Sequence, residues 1–344
     1  MRTNIIKISG IIILGIILFI LNMFIGSVII PTDEFVEILL NPSDKINPIY
    51  TIVYNYRLPQ SVTALLAGAA LAIAGLLMQT LFRNPLADPS MLGISSGAGL
   101  GVAMVVLVSG LVTGSAMSTT IWFPTIGISL SAFLGAIAVL FVIMSFANRV
   151  RNMSTLIIIG LMIAYLTGSI TDILKYFSNK EDIHAFVIWG LGSFSAVGSS
   201  KLLTFSIIVT TGIIMAFILS KNLNIMLLGD SYAENLGLNI KRNNIMIILI
   251  SGYLTAVVTA FCGPIAFIGL AVPHIARFLF RSSDHRILIP ATALIGMDLA
   301  LFCNIIARLP GLEGNLPVNA VTALIGAPVV IWVIFGKTSK HEEQ

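Results

Sequence analysis

Charge is scarce in this sequence: 19 Lys and Arg and 15 Asp and Glu make up 10% of 344 residues, against roughly 25% in an average soluble domain. Cysteine is scarcer still, two in all. Cys262 and Cys303 each lie in an apolar stretch, where a thiol behaves as a small hydrophobe, so a disulfide scaffold is excluded. No grouping of His, Cys, Asp and Glu has the spacing of a metal site, and neither a metal nor a cofactor is expected. There is no H-E-x-x-H, no aspartate pair for a diphosphate-bound metal and no G-x-S-x-G, which argues against an enzyme. Gly336-Lys337-Thr338 looks like the end of a P-loop, but Ile331 stands where that motif needs its first glycine. Any ATP hydrolysis therefore belongs to another chain. The net charge of +4 comes from Lys and Arg scattered at helix ends, with no basic stripe and no interleaved aromatics; it reads as membrane topology and not as nucleic-acid binding.

What the sequence does have is apolar length. Hydrophobic residues make up 57% of it, in runs of the ~20 residues that a hydrocarbon core of ~30 Å demands. Nine spans are read at roughly 5–30, 60–82, 91–111, 122–147, 154–176, 201–220, 244–265, 287–307 and 316–336. The first is too long for a signal-peptide core and no small-residue cleavage site follows it. A tenth span is read at Gly269 to Arg281, apolar but short and interrupted by Pro273, His274 and Arg277. Charge decides that choice. With ten spans and both termini cytoplasmic, the inner side collects Arg2, Lys7, Arg83, Arg149, Arg151, Lys221, Lys241, Arg242, Arg281, Arg286, Lys337 and Lys340. The outer side keeps Lys45, Arg57, Lys175, Lys180, Lys201 and Arg308, as the positive-inside bias requires. The expected fold is thus an all-α integral membrane protein of about ten transmembrane helices, forming one permease domain over 1–344.

A shift of 184 residues aligns Arg57 with Lys241, Leu65 with Leu249, Gly68 with Gly252, Ala72 with Ala256, and Leu86, Ala87, Pro89 with Leu270, Ala271, Pro273. Since the second span runs inward and the seventh outward, this predicts an inverted repeat of spans 2–5 and 7–10, a transporter feature. Gly93, Gly97 and Gly101 place three missing side chains on one face of the third span, for close helix packing. The fifth span has a similar stripe, Gly160, Ala164, Thr167, Gly168 and Thr171, which can pack a neighbour or line a translocation path. Asp298 is the only carboxylate deep within a span. Neighbouring polar groups or Arg277 would satisfy it, or it would serve an ion-gradient-driven secondary carrier, the alternative reading of the chain.

The stretch R-L-P-Q (Arg57–Gln60), L-A-G-A-A-L-A-I-A-G-L-L-M-Q (Leu66–Gln79), R-N-P-L-A-D-P (Arg83–Pro89) and L-G-I-S-S-G-A (Leu92–Ala98) resembles the FecCD family of permeases. So do G-P-I-A-F-I-G-L-A-V-P-H-I-A-R (Gly263–Arg277), D-H-R (Asp284–Arg286), I-A-R-L (Ile306–Leu309) and L-P-V-N-A-V-T-A-L-I-G-A-P (Leu316–Pro328). The resemblance implies an ATP-binding-cassette importer in the bacterial cytoplasmic membrane, carrying a ferric siderophore, haem or cobalamin. It also implies a second permease copy or sister permease with the path at their interface, two cytoplasmic ATPase subunits and an external substrate-binding protein. Arg57 and Arg308 match arginines that face acids of the binding protein. The loop holding Gly229, Asp230, Ala233, Glu234, Leu236 and Gly237 is similar to the family's ATPase-coupling helix, with Ser231 as its cap and Gly237 as its stop, relaying ATPase closure to the fifth and tenth spans. Two residues depart from the pattern: Gln60 stands where many members have a second arginine, and Asn304 where an aspartate often precedes the Ala-Arg pair. A docking surface with less charge is the expected consequence.

Overall fold

The computed structural model describes residues 2–40, 48–113, 123–147, 149–150, 153–310 and 315–341. Lys45 and Arg151, counted above for topology, lie outside them. The described helices are α1 (Arg2–Phe24), α2 (Thr32–Leu40), α3 (Pro48–Tyr50), α4 (Leu58–Leu81), α5 (Ile94–Thr113), α6 (Phe123–Ala147), α7 (Met153–Phe177), α8 (Lys180–Gly190) and α9 (Ser199–Ile218), followed by α10 (Ser220–Met226), α11 (Asp230–Asn235), α12 (Ile240–Cys262), α13 (Ile268–Phe280), α14 (His285–Ala307) and α15 (Val318–His341). Among these residues seven helices are long and apolar enough to cross a membrane, and three shorter apolar stretches, 94–108, 268–280 and 318–331, join them.

Several boundaries differ from the hydropathy reading. The first span stops at Phe24, and a bend at Gly26 leads into the amphipathic α2. The second span begins earlier, because a π-helical turn over Thr51–Arg57 runs directly into α4. The wider pitch lasts to Leu58, whose N–H reaches back to Val53 O, and Pro59, which has no N–H, follows in the first turn of α4. The short α8 was invisible to hydropathy. Residues 268–280 are helical despite Pro273, but 13 residues rise only about 20 Å. The non-helical segment Gly263–Phe267 supplies the remaining length, ending on Phe267 in the left-handed region, and neighbouring groups bond its backbone, as lipid depth demands. Asn319 Oδ1 accepts from Ala266 N at 3.0 Å, and Cys262 O accepts from Ser193 N at 2.7 Å.

The centre of the bundle is α4, buried along nearly its whole length. Its alanines and glycines allow backbone to touch backbone. A Cβ on Gly68 would overlap the Gly296 carbonyl of α14, and one on Gly75 the Gly269 carbonyl of α13. Gly97 and Gly101 pack against Gly135 and Ser131 of α6, but Gly93, expected on the same face, lies before α5 at φ +75° and meets Gly160 of α7 instead. Pairings recur in sets: α4 packs on α14 as α12 packs on α6, α4 on α13 as α12 on α5, and α5 on α7 as α13 on α15.

Candidate functional site

At the end of the bundle where α4 stops, two loops and a short helix meet. Gly229, with φ +97°, turns the chain into α11. Ser231 is not its cap: the residue lies inside the helix, and no side chain caps the start. Gly237 does end it, at φ +84°. Leu238 N bonds Ala233 O at 3.0 Å and Gly237 N bonds Glu234 O at 2.9 Å, the paired bonds of a Schellman stop. Ala233 is wholly buried beneath the helix, while Tyr232 and Leu236 are 70% and 61% exposed, next to Leu227 and Leu228. An apolar patch on a loop outside the spans marks an interaction surface.

That patch is tied to the bundle from both sides. Asp230 accepts from Arg83 Nη2 at 2.5 Å, which links α11 to the loop after α4. Asn224 donates to Asp284 Oδ1 at 2.6 Å and accepts from His285 N at 2.8 Å, which links α10 to the start of α14. Asp284 caps α14 through Arg286 N; this bond and the Asn224 amide hold its carboxyl below the usual range. His285 in turn meets Thr80 at 2.9 Å. These hydrogen bonds run to α4, the loop after it and α14. Gln79, Thr80, Arg83, Pro85, Leu227, Arg277, Ser283, His285 and Leu288 line a cleft of about 250 Å³ there. Arg277 donates to Gln79 Oε1 and so is not the partner of Asp298. That carboxylate instead lies against Gly15 of α1, where a Cβ would come within 2.6 Å of its Oδ1.

The opposite end is also polar but neutral in its pairing. Arg57 and Arg308 are each only 4% exposed. Arg57 donates to the carbonyls of Met23, Phe24 and Val28, which bend the chain around it after α1. Arg308 donates from Nη1 to Gln60 Oε1 at 3.0 Å and from Nη2 to Asn22 O and Oδ1 at 2.9 and 3.0 Å. The two departures from the family pattern touch each other: Gln60 Nε2 donates to Asn304 Oδ1 at 3.0 Å, and Asn304 Nδ2 donates to Asn22 Oδ1 at 2.7 Å. Asn22, missed in the sequence reading, joins α1 to α4 and α14 through this network; an asparagine inside an apolar run was the available signal. Both guanidiniums line a cavity of about 370 Å³ with Tyr56, Gln60, Ser195 and Asn315.

Between the two ends, the small-residue stripe of α7 turns largely inward. A Cβ on Gly160 would meet Met91 and Leu92, and Ala164 sits beside Gly93. Thr167 and Thr171 are buried, their hydroxyls returned to carbonyls of their own helix. Gly168 has nothing within 4 Å of a Cβ position. Among the described residues no group of His, Cys, Asp and Glu could hold a metal ion.

Comparison with known proteins assigns this arrangement. The model of the FecCD transport family matches residues 13–336. This chain is a member of the FecCD transport family. It is 36% identical over 283 residues to the vitamin B12 import system permease protein BtuC of Klebsiella pneumoniae, covering 82% of each chain. To the hemin transport system permease protein HmuU of Yersinia pestis it is 34% identical over 281 residues, 81% of this chain and 82% of that one. A solved metal-chelate type ABC transporter in an inward-facing conformation superposes with a TM-score of 0.82 at 28% identity, over 95% of this chain and 98% of that one. The chain is a membrane-spanning permease subunit of an ATP-binding-cassette importer, a multi-pass protein of the bacterial cytoplasmic membrane. Such a subunit works with ATPase and substrate-binding partners and in a permease pair.

Proposed function

We propose that this permease carries a large iron or cobalt chelate, a ferric siderophore, haem or cobalamin, through a path between two permease copies, above two ATPase subunits. The relatives' cobalamin and hemin systems and the metal-chelate neighbour support the substrate class. Ten spans with both termini cytoplasmic accommodate the seven long helices and three shorter ones. The paired packing of α4 on α14 and α12 on α6 supports the inverted repeat of spans 2–5 and 7–10.

The observation that carries the reading is α11. Its exposed Tyr232 and Leu236 are the surface an ATPase cleft receives, and its bonds through Arg83 and Asn224 transmit that motion to the loop after α4 and the start of α14. Gly229, Asp230, Ala233, Glu234, Leu236 and Gly237 form this coupling element. At the outer end, Arg57 and Arg308 receive acids of the binding protein. Because both are buried, those acids must enter the cavity and displace existing acceptors rather than land on a flat surface. Gly168 is the member of the α7 stripe most open to a path.

Purification of the tagged chain from native membranes in mild detergent, with mass spectrometry and a visible spectrum of the eluate, tests this. A P-loop ATPase at about one per permease, with a haem or corrinoid band if cargo is retained, is the expected result. Absence of any ATPase after crosslinking would overturn the coupling assignment. Replacing Arg57 and Arg308 by glutamate should slow uptake while leaving basal ATPase activity in place; unchanged uptake counts against docking.

A further inference from the structure

A groove on the flank of the bundle is used by none of these roles. Both α6 and α9 pack on α12 but do not pack along one another, which leaves a cleft between them floored by α12. Its volume is about 420 Å³, within the roughly 300–1,000 Å³ of small-molecule sites. Ser129, Leu130 and Phe133 form one wall, Ser200, Lys201, Thr204 and Ile208 the other, and Val257 and Phe261 the floor. The lining is sorted by height. Ser200 and Lys201 stand in the first turn of α9, with Thr204 a turn below; Ile208 lies seven positions past Lys201, roughly 10 Å deeper along the helix. Below it Tyr253 Oη donates to Ile208 O at 3.0 Å and closes the cleft. Among the described residues the lining includes one cation and no carboxylate. The rims, Leu130, Leu134, Leu203 and Ile207, are 53–71% exposed and apolar, as a lipid-facing flank requires.

We infer that this groove binds one anionic phospholipid, its headgroup phosphate at Lys201 beside the hydroxyls of Ser200, Ser129 and Thr204, and an acyl chain running down between Phe133, Ile208 and Val257. The charge complementarity at the mouth and the apolar depth beneath it fit an anionic amphiphile, whereas a soluble anion would leave that depth unfilled. A lysine at this height runs against the positive-inside bias, and a headgroup contact is a physical reason for its place there. The choice of leaflet, the external one, and the departure of Lys201 from the positive-inside bias rest on the orientation proposed above.

The test is native mass spectrometry of the purified chain in mild detergent, titrated with phosphatidylglycerol or phosphatidylcholine. The parent should retain one phosphatidylglycerol per chain in preference to phosphatidylcholine. Lys201→Gln should weaken that retention about fivefold, the weight of one lysine at a membrane surface, while Lys201→Arg keeps it. Thr204→Trp, which fills the groove and leaves the charge, should lose both lipids. Equal retention by all variants overturns the proposal. So does loss in Lys201→Gln with none in Thr204→Trp, the result expected of a lysine that merely snorkels. On the unsubstituted chain, a phosphatidylglycerol with a photoreactive acyl chain should crosslink at Phe133, Ile208 or Val257; crosslinks confined elsewhere overturn it without relying on any variant's folding. Labelling of Thr204→Cys by an impermeant reagent from the cytoplasmic side would refute the orientation while leaving the groove intact.

Discussion

The amide pair Gln60–Asn304 gives the sharpest quantitative prediction. Gln60→Arg removes the acceptor of a charge-assisted bond from Arg308, worth about 1.5–3 kcal/mol. It also sets a second guanidinium against the first in a buried site. A total cost of roughly 3–5 kcal/mol follows, the range for breaking a buried charged contact. Asn304→Asp replaces the donor to Asn22 Oδ1 by an oxygen, a cost of about 1–3 kcal/mol, partly offset by attraction to Arg308. Introduced together, the guanidinium and the carboxylate face each other across the 3.0 Å contact that the amides now make. The double variant should therefore be more stable than the sum of the two by roughly 2–3 kcal/mol, near the top of the range for residues in contact. Reversible unfolding of the four proteins in mixed micelles measures this coupling. Additivity within about 0.5 kcal/mol would refute the idea that the two departures from the family pattern are a single exchange of an ion pair for a neutral one.

Other predictions are simpler. Gly75→Leu places a side chain into the Gly269 backbone and should cost at least the ~1–3 kcal/mol of core overpacking, read as a lower thermal midpoint in detergent. Reversing Arg83 or Asp230 alone should leave stability nearly unchanged, since the pair is exposed and such pairs contribute about 0–1 kcal/mol, but should lower ATP-driven uptake; exchanging the two residues should restore it. Asp182 on α8 is buried, with no hydrogen-bond partner for Oδ2 among the described residues, and burial, then Glu181, raises its carboxyl above the ordinary value of 3.8. Because the folded value is the higher one, its contribution to stability is present below that ordinary value and is lost as pH rises through the folded value. Asp182→Asn should therefore be more stable than the parent at neutral pH and flatten the stability profile above pH ~4; an unchanged profile would exclude a titrating Asp182.

Much of the molecule was legible because lipid imposes simple rules on a chain. Runs of ~20 apolar residues can only be helices there, and every long run in the described residues is one. Gly237 as a stop for α11 was legible too, since few residues other than glycine take its positive φ. The Ser231 cap was misread because one serine before an acidic residue fits several registers, and Gly229 with φ +97° set the register two residues earlier. The start of the second span was misread because Asn55 and Arg57 lower the hydropathy of a stretch that is already helical.

Sequence alone determined that this chain lives in a bilayer, that it holds no catalytic motif, and which family its motifs resemble; each depends on composition or on local order along the chain. Tertiary structure decided the rest, since contacts between residues 244 to 282 positions apart leave no local trace. Only the packing of α1, α4 and α14 shows that Arg57 and Arg308 are buried, that Gln60 and Asn304 hydrogen-bond each other, and that Asn22 completes their network. Likewise only the seating of α6 and α9 on α12 opens the flanking groove, because a cavity is a property of which helices fail to touch.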